Sequence, residues 1–317
     1  MIETLQALRF IFVLMIFMSH FTYQGICAFD AGGDCGVSFF FILSGFVLSL
    51  GYGSRIREGT FSYGRFMQRR LWKIYPLHLL CLLFLLVVSR SDFDLTVLFN
   101  ALLLQSWVPD PNYYFSCNSV SWFLSSLFFC YLVFPFACRR MSVWLTLVVF
   151  SACLLTYFVV PAEKVNAILY VYPLVRFVDF YIGMLLCRWF ERGYRVPQAG
   201  WLECLLIVCL VAALAVYPWM DVKFRNAPLY WLVLIPLVLV FAKGEGRVSA
   251  WLSTRPMQLL ASLSMPFYMT HQMLTGILIR RLPKMPEVLM LFVCLLTILS
   301  VSWLIDRFFL RKMEKVA

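Results

Sequence analysis

Glu3-Thr-Leu-Gln-Ala-Leu-Arg-Phe-Ile-Phe-Val-Leu-Met-Ile-Phe-Met-Ser-His20 is apolar through most of its length. It is close to the length, about 20 residues, that a helix needs to cross the hydrocarbon of a bilayer. Arg9 and His20 interrupt it eleven residues apart, about three helical turns. Their side chains therefore point the same way and stand about 16 Å apart along the axis. An ionisable residue facing the bilayer centre costs on the order of 3 kcal/mol, so such residues line polar cavities or pathways. A cation near one membrane face and an imidazole near the other predict a ligand that bridges the two levels.

Working outward from this span, the whole chain reads the same way. Of its 317 residues, 62% are hydrophobic and 14% charged, against roughly 25% charged in a soluble globular domain. The composition predicts a polytopic all-α membrane bundle in one domain, 1–317, with no fused soluble domain. Apolar runs near 7–23, 36–52, 74–90, 119–138, 143–160, 166–187, 201–217, 228–242, 257–279 and 287–306 make ten candidate spans. With the N-terminus in the cytoplasm, nineteen Lys and Arg fall in inner segments and seven in outer ones, while Arg176 lies within a span. This asymmetry follows the positive-inside pattern and predicts both termini in the cytoplasm. It also accounts for the net charge of +11 without nucleic acid as a partner. The stretch from Leu95 to Trp107 is apolar but too short to cross, and is read as re-entrant or interfacial on the outer side. No removable leader is expected.

Eleven cysteines show no CxxC or Cys/His cluster, so no metal site is expected. Cys27, Cys35 and Cys117 fall outside the predicted spans, which makes a bridge between two of them conceivable.

Three histidines are the candidates for chemistry. His20 shares a face with Arg9. His271 closes Ser264-Met-Pro-Phe-Tyr-Met-Thr-His271, read as the outer half of a helix that Pro266 loosens. His78, after a basic loop, reads as a packed residue. In that loop Arg70 and Lys73 are i, i+3 on a short helix expected to end at Pro76, two cations suited to a phosphate or pyrophosphate. The competing reading is topology-setting charge beside anionic membrane lipids. Ser44-Gly45 makes a small-residue notch for close helix approach. Arg176 and Asp179, also i, i+3, are expected to neutralise each other inside the membrane. On these residues alone a transporter or flippase for a glycan or lipid-linked substrate, with no acyl transfer, competes with an enzyme.

In order along the chain these segments resemble the acyltransferase-3 family of bacterial integral-membrane O-acyltransferases, which modify cell-surface glycans. Leu8-Arg9 through His20 looks like the family's Leu-Arg…His first helix. Gly36-Val-Ser-Phe-Phe-Phe-Ile-Leu-Ser-Gly-Phe46 looks like its Gly-Val-Asp-x-Phe-Phe-x-x-Ser-Gly-Phe. Arg70-Leu-Trp-Lys-Ile-Tyr-Pro76 is similar to its Arg-x-x-Arg-Ile-x-Pro. The segments around Trp122, around Arg176 to Gly183, and from Ser264 through Tyr268 to His271 resemble three further motifs. Three positions depart from the pattern: Lys73 for the second arginine, Ser38 for an aspartate, and Ser126 near a usual glutamate. The resemblance implies an acyl-CoA donor, usually acetyl-CoA, and a hydroxyl acceptor on a glycan or lipid-linked saccharide, in a bacterial inner membrane. It implies Arg9, Arg70 and Lys73 on the CoA, with the pantetheine arm running up to His20. His20 is then either general base or acyl carrier. His271 is a second catalytic candidate, and Ser44, Trp122, Arg176, Asp179 and Tyr268 are structural or positioning residues.

Overall fold

A computed structural model describes residues 2–24, 26–27, 32–89 and 93–314. It is a helical bundle. The helices are α1 (Glu3–His20), α2 (Gly33–Arg57), α3 (Tyr63–Ser89), α4 (Leu95–Ala101), α5 (Pro111–Tyr114), α6 (Trp122–Arg140), α7 (Val143–Val159) and α8 (Pro173–Glu191). They continue with α9 (Ala199–Val216), α10 (Val222–Arg225), α11 (Pro228–Lys243), α12 (Arg247–Leu252), α13 (Arg255–Ser262), α14 (Ser264–Arg281), α15 (Glu287–Ile305) and α16 (Arg311–Glu314). A two-stranded hairpin, β1 (Thr22–Tyr23) and β2 (Ile26–Cys27), follows α1. Among the described residues, seven helices are long and apolar enough to cross a membrane, and a bent pair, Ala162–Val171 with Pro173–Glu191, makes an eighth. The shorter α7 and the more polar α14 occupy the two remaining predicted positions. Exposed side chains such as Trp144, Trp219, Leu232 and Val87 give the bundle an apolar outer surface, which is what lipid contact requires.

The closest crossing is α2 on α8, and two glycines explain it. A Cβ on Gly45 would stand 1.9 Å from the Phe180 carbonyl oxygen, and one on Gly183 would stand 1.9 Å from that of Ile42. Each backbone occupies the space of the other's missing side chain, as small-residue packing in membranes demands. The Ser44-Gly45 notch is therefore a helix contact at Gly45.

The break before α8 comes from Pro173, which offers no N–H to the preceding π-helical turn, Asn166–Val171. Side chains take up the carbonyls exposed there. Ser126 donates to the Val171 carbonyl at 2.7 Å, and Arg176 Nε to that of Tyr170. Ser126, where the family often has glutamate, here completes a helix break.

Leu95–Trp107 contains no helix long enough to cross a membrane. The α4 helix and the short turn Gln105–Trp107 fold between α3 and α6 and reach deep along α3. Tyr75 Oη donates to the Ala101 carbonyl at 2.6 Å, and His78 Nε2 lies 2.8 Å from that of Asn100. These partners sit eleven and fourteen residues before Ser89, about 16–21 Å along the helix. Asn100, Gln105, Ser106, Ser121 and Ser125 are buried and joined by hydrogen bonds. Most of the segment's polar side chains thus find partners within protein, as irregular backbone at that depth demands, while Gln105 Oε1 and His78 Nδ1 are buried without a hydrogen-bond partner.

Two local expectations need correction. The helix carrying Arg70 and Lys73 does not end at Pro76; α3 runs through it, with Pro76 in its interior. Pro266 does not loosen the middle of a span, because the chain breaks at Leu263 and Pro266 sits in the first turn of α14, where a missing N–H costs little. Cys35 is buried and Cys117 exposed, and both are free thiols; the side chain of Cys27 lies outside the described residues.

Candidate functional site

One cavity of about 550 Å³ opens among α1, α2, α3, α6 and the start of α14. Five cations line it: Arg9, Arg55, Arg69, Arg70 and Lys73. Among the described residues its lining contains no aspartate or glutamate. Arg70 is aimed by its neighbours. Its guanidinium lies over the Tyr52 and Phe66 rings at 5.6 and 5.8 Å, and Nη2 donates to Tyr52 Oη at 3.2 Å. Among the described residues the Arg9 guanidinium meets one hydrogen-bond acceptor, the Gln6 side chain, at 2.9 Å. An arginine has five N–H donors, so a half-buried one with a single protein partner beside a cavity is set up to bind something else.

The far end of the cavity is apolar and aromatic, with Phe40, Phe123 and Tyr268 in its lining alongside Ser44. Ser44 Oγ donates to the Phe40 carbonyl in its own helix at 2.7 Å. Tyr268 Oη donates to the Val120 carbonyl at 2.9 Å, and its ring meets the edge of Phe123 at 5.5 Å. His20 and His271 do not line the cavity. The Tyr268 ring, which lines the cavity and contacts His271, therefore separates the cavity from that histidine. His271 stands one turn beyond Tyr268 on α14, with ring centroids 5.8 Å apart.

The two histidines are in contact, and their hydrogen bonds fix both tautomers. His271, fully buried, has Nδ1 2.7 Å from the Tyr268 carbonyl. A carbonyl only accepts, so Nδ1 carries the proton and neutral His271 presents its lone pair at Nε2. That nitrogen lies 2.9 Å from His20 Nδ1, which must then be the donor. The remaining nitrogen of His20, Nε2, holds a lone pair. His20 is exposed at the end of α1, while His271 packs against it and Phe17 meets the edge of the His271 ring. The arrangement is a base whose second nitrogen is oriented by a partner, which is itself oriented by a backbone carbonyl.

Arg176 and Asp179 lie away from this cavity. Both are 1% exposed and their side chains meet at 2.7 Å. Arg176 also donates to Ser38 Oγ at 3.3 Å and to the Asn226 carbonyl at 3.2 Å, and its guanidinium lies 5.1 Å from the Tyr170 ring centroid. Trp231 donates its indole N–H to Asp179. Ser38, standing where the family usually has aspartate, touches the arginine whose carboxylate partner here is Asp179. Trp122 is buried against Tyr170, with ring centroids 4.8 Å apart, and its carbonyl accepts from Ser106. These residues hold the wall and none of them lines the cavity. Among the described residues no group of His, Cys, Asp and Glu is placed to hold a metal ion.

Sequence reading missed Tyr52, Arg55, Arg69, Gln6 and Tyr131, all of which line the cavity. For α2 the signal was available. Ser44, Leu48, Gly51, Tyr52 and Arg55 recur at helical spacing, so a stripe drawn from Ser44 reaches Tyr52 and Arg55 directly.

The profile of a family described as an acyltransferase domain matches residues 2–307. An acyltransferase of Streptomyces mycarofaciens, MdmB, is 33% identical over 153 residues, covering 42% of this chain and 38% of its own length. Protein 2 in the picA locus of Rhizobium radiobacter is 44% identical over 52 residues, covering 16% of this chain and 27% of its own. The chain thus spans well under half the length of these relatives. No solved structure matches it. With nearly its whole length inside the family profile, the chain belongs to the acyltransferase-3 family.

Proposed function

We propose that this protein takes an acyl group, acetyl in the first instance, from acyl-CoA on the cytoplasmic side and transfers it to a hydroxyl of a saccharide, lipid-linked or at the cell surface. The protein would sit in a bacterial inner membrane as a single domain of ten crossings with both termini inside. The observation that carries the reading is a cavity with five cations and no carboxylate at one end, whose other end stops one helical turn short of a histidine pair with a free ring nitrogen. CoA is a ligand of matching shape, with phosphates at one end and a thioester at the end of a long, mostly apolar arm. Arg70 grips phosphate as a fork, and Lys73 and Arg9 add charge beside it. Ser44, Phe40, Phe123 and Tyr268 border the thioester end.

In this reading the acceptor approaches from the side where His20 is exposed. His20 Nε2 takes the hydroxyl proton as the acceptor oxygen attacks the thioester carbonyl. The carbon–sulfur bond breaks, and the leaving thiolate takes that proton back from the imidazolium. His271 keeps Nδ1 of His20 protonated and the ring in place. The free lone pair at Nε2 supports a base rather than requiring an acyl carrier.

The test is purified protein in lipid nanodiscs with radiolabelled acetyl-CoA and fractionated lipid-linked saccharides. The account expects saturable CoA binding and label transferred to a saccharide. Saccharide binding without acetyl-CoA binding would favour the flippase. Reporter fusions after Arg140 and after Arg195 are expected to read cytoplasmic; an external reading of either would overturn the ten-crossing topology.

A further inference from the structure

A second, smaller cavity of about 60 Å³ adjoins the first at its basic end. Its lining comes from the end of α2, the connection to α3 and the first turns of α3: Tyr52, Arg55, Thr60, Phe61, Ser62, Arg65, Phe66 and Arg69. Tyr52, Arg55 and Arg69 line both cavities. This side chamber is lined, among the described residues, by three arginines and three hydroxyl side chains, those of Tyr52, Thr60 and Ser62, with no carboxylate. Among the described residues no ion pair involves Arg55, Arg65 or Arg69. Three arginines lining one small chamber without a carboxylate repel one another, so the arrangement favours a bound negative charge. A chamber of this size takes a phosphoryl group rather than a whole nucleotide. Thr60 and Ser62 offer hydroxyl donors beside the arginine forks, the donor set that phosphate oxygens use.

We propose that the side chamber is a separate phosphate subsite, and that its occupant is the 3′-phosphate of the CoA ribose, while Arg70 and Lys73 in the main cavity hold the diphosphate. This rests on the acyl-CoA reading above and goes beyond it by dividing the basic end into two sites. The chamber shares Tyr52, Arg55 and Arg69 with the main cavity, and its other five lining residues lie outside that cavity's lining. CoA branches at its ribose, where the 3′-phosphate leaves the line of the diphosphate, so a single ligand can fill both. Together the two linings hold six cations, Arg9, Arg55, Arg65, Arg69, Arg70 and Lys73, which exceeds the charge of about four that CoA carries near neutral pH.

Arg65 is the residue to test, because it lines the side chamber alone and is exposed, so its replacement leaves the bundle intact. Binding of CoA and of 3′-dephospho-CoA is measured for the wild type, Arg65→Ala and Arg70→Ala in nanodiscs of zwitterionic lipid. The wild type is expected to prefer CoA by about tenfold or more, the usual scale for a charged hydrogen bond. Arg65→Ala should lose that preference by weakening CoA while leaving 3′-dephospho-CoA unchanged. Arg70→Ala should weaken both together and keep their ratio. Equal weakening of both ligands in Arg65→Ala would overturn the subsite while leaving CoA as the donor. Absence of CoA binding to the wild type would instead remove the donor reading itself. The experiment is repeated in nanodiscs with anionic lipid. An Arg65→Ala effect confined to retention of anionic lipid, with CoA discrimination intact, would assign the chamber to a lipid headgroup and overturn the proposal.

Discussion

Arg176 and Arg9 are both intramembrane arginines, yet their surroundings are opposite. Arg176 is closed off, with Asp179, Ser38, two backbone carbonyls and the Tyr170 ring all around one guanidinium. Arg9 has the Gln6 side chain on one side and a cavity on the other. A buried charge must be paired or bound to something. Where protein supplies every partner, the arginine holds helices together. Where protein leaves most donors unused beside a cavity, the proposed function assigns the remaining partner to a ligand. The difference separates structural from functional arginines without reference to their position in the chain. Arg70 belongs with Arg9, because its aromatic neighbours orient the fork without neutralising it.

The comparison breaks most sharply at Arg176. Arg176→Ala leaves the Asp179 carboxylate and two carbonyls buried without their partner, and should cost ~3–5 kcal/mol. Thermal unfolding in detergent should show a large loss. Arg176→Met combined with Asp179→Leu should recover most of it, because the buried pair contributes little beyond its own neutralisation. A stable Arg176→Ala protein that has lost only donor binding would erase the distinction.

Arg70→Ala should behave in the opposite way. Donor affinity should fall by a factor corresponding to ~1.5–3 kcal/mol, the scale of a charged hydrogen bond, with thermal stability nearly unchanged. Lys73→Ala should cost less, because an ammonium is a point charge where a guanidinium is a fork. Titration of CoA onto each variant reads both effects. Unchanged affinity in Arg70→Ala would return that loop to setting topology.

Smaller again, Gly45→Ala should destabilise by ~1–3 kcal/mol, since the added methyl meets backbone rather than a yielding side chain. Donor binding by the protein that still folds should be normal. A neutral Gly45→Ala would show that α2 and α8 part more readily than two reciprocal contacts imply.

Much of this was legible in the sequence, for identifiable reasons. Spans are long and apolar, so the bundle follows from hydropathy alone. Arg9, Arg70 and Lys73 stood out as charges in or beside apolar helices, and all three line the cavity. The i, i+3 spacing of Arg176 and Asp179 predicted their pairing. What could not be read was contact across sequence distance. Nothing local says that His20 meets His271, 251 residues away, or that Tyr268 lies between the cavity and that pair. Nor does local pattern reveal Glu203, an acid in an apolar helix. It is buried and receives the backbone N–H groups of Gly246, Val248 and Ser249 together with the Ser249 hydroxyl. It caps α12 from another helix, and only the fold brings the two together.

If cavity arginines bind the donor and His20 reacts, binding and rate separate in one variant. The direct measurement is single-turnover acetyl transfer by His20→Ala, with CoA affinity determined on the same preparation. The account predicts a loss of about 10²–10⁴ in rate, the usual scale for a missing general base, with donor affinity and thermal stability unchanged. Transfer at near wild-type rate by His20→Ala would contradict it and leave His271 as the candidate base.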